Sequence, residues 1–110
     1  MEYANNPKWL RKRISILNRD RYQCQECNRY GRCTQANTVH HIVPVEVNPD
    51  YQYLSRNLIS VCNRCHNEFH DRITNALTEK GLNLMKRNIE EIEKAFELNK
   101  FTTIPPTSKT

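Results

Sequence analysis

Eight side chains in this 110-residue sequence have types and spacings that could carry metal or proton-transfer chemistry. Cys24-x2-Cys27 and Cys62-x2-Cys65 form two knuckles, the arrangement that wraps four thiolates tetrahedrally around Zn²⁺. The gap between the pairs exceeds the roughly 15–20 residues of a plain zinc ribbon, so something is inserted between them. His40-His41 lies in that insertion, and His66-x3-His70 follows directly on the second knuckle. On a helix, residues four apart share a face, so His66 and His70 can reach one cation. Four thiolates leave a zinc no open position, so any catalytic cation must sit with the histidines. Cys33 falls outside both pairs and reads as a free, partly buried thiol.

These groups need elements to bring them together. Asn6-Pro7 opens a helix over residues 6–20, with Asn6 as its cap and Pro7 at its first position. Trp9, Leu10, Ile14, Ile16 and Leu17 make its apolar side, and Arg11, Lys12, Ser15, Asn18 and Arg19 lie opposite. Residues 22–37 read as irregular. Thr38–Val43, closed by Pro44, and Leu58–Val61 are short strands. Residues 63–73 are helical, with His66, Phe69, His70 and Ile73 on one face. A last helix over 79–99 carries an apolar stripe of Leu82, Met85, Ile89, Ile92 and Phe96, suited to the core or to a dimer seam. The tail, 101–110, reads as disordered. Residues 1–100 make one domain of the α+β class, with the zinc and histidine core at 22–73.

The hydrophobic content of 37% limits the core, which a metal cross-link would reinforce. No stretch approaches the roughly 18 apolar residues of a membrane span, and the polar start is unlike a signal peptide. A soluble, cytoplasmic protein is expected, and there paired cysteines bind metal rather than form disulfides. The net charge is +5, and all of the surplus lies before Cys33. A basic region so placed is the footprint of a polyanionic partner, most simply DNA.

The runs Val39-His40-His41-Ile42-Val43-Pro44, Arg56-Asn57-Leu58-Ile59-Ser60-Val61-Cys62 and Cys65-His66-Asn67 through His70 resemble the HNH motif. That likeness implies a small ββα-metal finger stapled by a four-cysteine zinc site and flanked by helices. It implies a metal-dependent endonuclease acting on DNA phosphodiesters. By position, His41 resembles the general base, Asn57 the residue that orients it and ties the loop, and His66 the closing histidine. His40, His66 and His70 correspond to ligands of one divalent cation: Mg²⁺, Mn²⁺, Ni²⁺ or Zn²⁺. Three imidazoles without a carboxylate favour the later transition metals over Mg²⁺. Many zinc-bearing members have Asp where this chain has His40. Trp9 to Arg13, Arg29-Tyr30-Gly31 and Asn57 to Ser60 are similar to short phage-associated HNH proteins, which implies a link to terminase and genome packaging.

Neighbours on a regular strand point to opposite faces. For His40 and His41 to share a site, the strand must bulge or the site must straddle its edge. Lys8, Arg11, Lys12, Arg19, Arg56, Arg64 and Arg72 are candidate DNA contacts. The competing reading is a zinc-ribbon module that binds nucleic acid without cutting it. It accounts for the knuckles and the charge but leaves the histidine pattern unexplained. A single catalytic set predicts nicking by a monomer, with double-strand cuts needing a second copy or a partner.

Overall fold

The computed structural model of the chain describes residues 6–102. Helix α1, Pro7–Arg19, begins where the Asn6 side chain accepts hydrogen bonds from the Lys8 and Trp9 amides. Trp9, Ile16 and Leu17 are buried, whereas Leu10 and Ile14 are 43% and 49% exposed. The apolar side is therefore narrower than expected. The facing stripe runs through residues 9, 13, 16 and 17, and Ile14 points away from it.

Strands β1 (Thr38–His41) and β2 (Leu58–Val61) form a two-stranded antiparallel sheet, with Thr38 opposite Val61 and His41 opposite Leu58. The first strand stops two residues short of the expected Val43. There the amide of Ile42 turns to the Asn57 backbone carbonyl, and the amide of Val43 to the Asn57 side chain, both at 2.8 Å. Helix α1 packs against both strands. At its end the Asp20 carboxylate accepts the Ser60 amide of β2 at 3.0 Å.

The supposedly irregular stretch contains a one-turn helix, α2 (Gln25–Arg29), in which the Cys24 sulfur accepts the Cys27 amide. Five residues carry too little periodicity to announce a helix. Helix α3 spans Asn63–Phe69 and ends before His70, four residues earlier than expected. Thr78 takes the carbonyls that would continue it, its amide bonding Phe69 and its hydroxyl Glu68. Ile73 consequently lies in a turn, 93% exposed, rather than on an apolar helical face.

Helix α4 runs Glu79–Thr102, past the expected end at residue 99 and into the segment read as tail. Residues 103–110, the rest of that tail, lie outside the described residues, as do residues 1–5. The buried side chains of α4 are Leu84 and Ile92, with Met85, Ile89 and Phe96 partly buried against the core and Leu82 39% exposed. The stripe thus serves the core, starting from Leu84 rather than Leu82. Helix α4 crosses the end of α3 so closely that a Cβ on Gly81 would lie 2.6 Å from the Phe69 carbonyl oxygen. Arg87 on α4 and the buried Glu26 on α2 approach to 3.7 Å, fastening α4 to the first knuckle. Among the described residues, no helix is long and apolar enough to cross a membrane.

Candidate active site

The knuckles meet at the start of α3. Cys24, Cys27, Cys62 and Cys65 are all buried, and their sulfurs lie within 4.8 Å of one another. The Cys27 sulfur is 3.9 Å from that of Cys62 and 3.7 Å from that of Cys65. A tetrahedron with metal–sulfur bonds of about 2.3 Å has edges of about 3.8 Å, so the four sulfurs fit a zinc ion. A hydrogen bond from the Thr34 side chain, outweighing burial, brings the Cys27 thiol down to about 6. Burial pushes Cys24 and Cys65 up. Arg64 points a guanidinium nitrogen at the Cys27 sulfur, 3.7 Å away. Cys33 is exposed, not partly buried.

The second cluster forms where α3 packs on β1. His40 projects from β1 into the core and is 1% exposed. Its ring packs on Phe69 at 4.7 Å between centroids, and meets His66 and His70 edge-on at 5.4 and 5.1 Å. His66 and His70 are also edge-on to each other, at 5.1 Å. Each ring thus stands nearly perpendicular to the other two, and one ligand atom from each lies within 4.8 Å of the others.

Neither ring nitrogen of His40 has a hydrogen-bond partner. Leaving buried polar atoms unmet costs about 1–3 kcal/mol apiece, and a cation held by the three rings would satisfy one of them. Burial, and then the neighbouring His66 and His70, pushes His40 down to about 2; burial also lowers His66. Both rings are therefore in the neutral form that binds metal. His70, already extended beyond the helix, reaches the cluster because Nδ1 lies 3.3 Å from the Asn75 carbonyl oxygen. A carbonyl only accepts, so Nδ1 carries the proton and Nε2 is left for a cation.

His41 points to the other face of β1. Its ring stacks on Trp9, and Nε2 lies 3.1 Å from the Gln52 carbonyl oxygen. By the same logic Nε2–H donates, and Nδ1 is the nitrogen that bears the lone pair. Burial lowers the pKa of His41, opposed by the Gln52 bond and by Glu46. The pairing of β1 with β2 is continuous through both histidines, without a bulge. Yet one cleft of about 480 Å³ is lined by Trp9, His40, His41, Glu46, His66 and His70. The site straddles the strand, the second of the two expected solutions. Asn57 is fully buried beneath it. Its side chain accepts the Val43 amide and donates to the carbonyls of Val43 and Tyr51, closing the loop that carries Gln52. A larger cleft, about 680 Å³, lies between Tyr51 and the Phe96–Leu98 part of α4 and has no histidine or cysteine in its wall.

The basic candidates divide. Arg19 is occupied within the protein, bonding Asp20 and the carbonyls of Ser55 and Leu58. Lys12 donates to the Ser55 hydroxyl, and Arg64 faces the thiolates. Arg56 approaches Glu91 at 3.7 Å, and Lys8 lies over the Tyr53 ring. Arg11 and Arg72 are exposed, and Arg72 lines the outer lip beside His66 and His70. Trp9, Glu46 and Asn75 in the cleft wall, and Gln52 behind His41, were not assigned to the site by sequence reasoning. Gln52 and Asn75 act through backbone carbonyls, which no side-chain pattern reveals.

The HNH endonuclease family matches residues 24–72, a span that takes in both cysteine pairs and all four histidines. The crystal structure of the HNH endonuclease of the deep-sea thermophilic bacteriophage GVE2, solved with a manganese ion, is 35% identical, with a TM-score of 0.58. The match covers 60% of this chain and 72% of that one. The chain belongs to the HNH endonuclease family. Comparison with curated proteins finds no match. Membership makes this chain a nuclease of the hydrolase class, and the two strands, α3 and the four-cysteine cluster are the framework of its HNH region.

Proposed function

We propose that this HNH endonuclease hydrolyses DNA phosphodiester bonds with one divalent cation, while a separate zinc ion holds the fold. The observation that carries the reading is the convergence of His40, His66 and His70 beside a fourth imidazole, His41, in one cleft. His40, His66 and His70 would hold the catalytic cation, and Cys24, Cys27, Cys62 and Cys65 the zinc. When bound, the cation supplies Lewis-acid stabilisation of charge on the phosphate and the leaving oxygen.

The remaining chemistry belongs to the chain. Nδ1 of His41 takes a proton from the attacking water as its oxygen bonds to phosphorus. The bond from phosphorus to the 3′ oxygen breaks, leaving 3′-hydroxyl and 5′-phosphate ends once that oxygen is protonated. Nε2–H of His41, held by Gln52, fixes the ring and the tautomer. Asn57 maintains the loop that presents that carbonyl. Glu46 in the cleft wall favours the charge His41 acquires. Arg11 and Arg72 are free to approach phosphates, and Lys8, Lys12 and Arg56 remain at the surface with weaker commitments.

One histidine set addresses one phosphodiester, and duplex strands are antiparallel, so a monomer nicks. A role in phage DNA packaging alongside terminase, in the host cytoplasm, extends this reading. It comes from the resemblance of Trp9 to Arg13, Arg29-Tyr30-Gly31 and Asn57 to Ser60 to short phage-associated HNH proteins, and the likeness to a bacteriophage enzyme supports the phage setting. The test is supercoiled-plasmid cleavage with Mg²⁺, Mn²⁺ or Ni²⁺, with and without EDTA, with oligomeric state measured by light scattering. Open circles should precede linear product, and EDTA should stop both. Uncut plasmid with every metal, from protein that is folded and carries zinc, would refute the reading.

A further inference from the structure

The turn that leaves the first knuckle presents an arrangement that the catalytic site does not use. Tyr30 is 55% exposed, with two guanidiniums gathered on its ring. The carbon at the centre of the Arg29 guanidinium lies 5.2 Å from the ring centroid, and that of Arg32 lies 5.8 Å away. Arg29 also donates to the Tyr30 hydroxyl at 2.9 Å. The turn is fixed from beneath, the amides of Tyr30 and Arg32 both bonding the Cys27 carbonyl. Gly31, at a φ of +79°, takes the left-handed conformation this reversal requires.

Two like charges held together on a rigid exposed turn repel each other, so the arrangement stands uncompensated unless an anion joins it. Among the described residues, neither guanidinium has a carboxylate within ion-pair distance. Glu68 feels Arg32, but its carboxylate is already bonded to Lys80. The thiolate cluster is the other anion nearby, and Arg64 is the arginine hydrogen-bonded to its sulfur. The turn is tied to the helix that carries His66. Cys27, which anchors it, is 3.7 Å through sulfur from Cys65, the residue before His66.

We propose that Arg29, Tyr30 and Arg32 form a second contact for the phosphate backbone of duplex DNA, to one side of the bond being cut. This rests on the reading of the protein as a DNA nuclease. Planar guanidiniums suit phosphate oxygens bidentately. Holding both on one ring before binding reduces the ordering cost of the contact.

The test separates binding from cleavage. In the catalytically silent His41→Ala protein, duplex affinity is measured against salt with and without Arg29→Gln/Arg32→Gln. The logarithmic slope should fall by about 1.8, since each phosphate contact contributes about 0.9. In the otherwise unaltered enzyme the same pair should raise KM for DNA by about tenfold and leave kcat at saturating DNA unchanged. Tyr30→Ala should shift KM in the direction of the arginine pair, and Tyr30→Phe, which keeps the ring but loses the hydroxyl that Arg29 bonds, should shift it less. An unchanged slope and KM would overturn the proposal while leaving the nuclease reading intact. Loss of zinc from the double variant would overturn it too, by assigning the two arginines to the thiolate cluster. A changed slope together with no cleavage by the protein that keeps His41, with any metal, would instead refute the nuclease reading alone.

Discussion

Trp9 of α1 lies nearly face to face with His41 at the end of β1, with ring centroids 4.9 Å apart and planes inclined by 22°. Residues 24–72 carry the family match, so a helix outside that span walls the histidine proposed as base. Trp9→Ala should lower kcat by about 10- to 100-fold, the scale on which a small misplacement of a reacting group is felt. His41→Ala should cost about 10²- to 10⁴-fold, as loss of a general base does. Adding Trp9→Ala to His41→Ala should cost nothing more, because the ring it positions is gone. Trp9→Phe should keep most activity and keep the fold in place. Additive losses in the double variant, measured by nicking rates on protein of confirmed fold, would remove Trp9 from any role through His41.

His40 is a liability to the metal-free protein, with two ring nitrogens buried and unbonded. His40→Leu, which removes both unmet nitrogens and keeps a side chain against Phe69, should therefore leave the melting temperature of the zinc-loaded protein without Mn²⁺ unchanged or raise it. The same change should abolish cleavage and the rise in melting temperature on adding Mn²⁺, because one of the three proposed ligands is lost. Thermal unfolding with and without Mn²⁺, at constant zinc content, checks both halves. A variant that melts well below the parent without Mn²⁺ would show that His40 is held by something other than a cation.

Asn57 is fully buried and makes three hydrogen bonds to the backbone of residues 43 and 51. Asn57→Ala should cost about 2–4 kcal/mol by stranding those groups, or a fall in Tm of roughly 10 °C or more for a domain of this size. Asn57→Asp should fare little better. A carboxylate can accept from the Val43 amide but cannot donate to the carbonyls of Val43 and Tyr51. Calorimetry distinguishes this structural role from a catalytic one: if Asn57→Asp melts with the parent and only kcat falls, the side chain acts in the chemistry.

The cysteine pairs and the His66, His70 pair were legible in the sequence because their residues are rare and their spacing is short, whereas His40 joined them only through the family resemblance. Cys24, Cys27, Cys62 and Cys65 needed only two tight pairs, and His66 and His70 only one turn of chain. The start of α1 was legible from Asn6 and Pro7, since capping is local. Features decided by tertiary contact were not. Helix α3 stops at Phe69 because Thr78, nine residues on, captures its carbonyls. The face of α4 turns toward Leu84 because Gly81 lets that helix press onto Phe69. Arg19 reads as a solvated cation on the polar side of α1, yet three groups of the protein hold it, two of them carbonyls more than thirty residues away. No local pattern records such partners.

Asp20 ends α1 where β2 passes, accepting the Ser60 amide at 3.0 Å and two guanidinium N–H groups of Arg19, Nε and Nη2. Burial alone would raise its pKa, but the hydrogen bonds from Arg19 and Ser60 outweigh burial and hold the carboxyl below its ordinary value. A depressed acid contributes stability that is fully present above its unfolded pKa of about 3.9 and is lost as pH falls through the lower folded value. Asp20→Ala should therefore cost about 2–3 kcal/mol, in the range of hydrogen bonds to a charged group, and the cost should stay constant from pH 8 to pH 5. Urea unfolding of parent and variant at several pH values in that interval, with zinc present throughout, gives the difference directly. A gap that narrowed between pH 7 and pH 5 would mean that the carboxyl titrates there, with its folded pKa raised rather than lowered. The Asp20 contact would then be a burden that the fold tolerates, not one of the ties between α1 and the sheet.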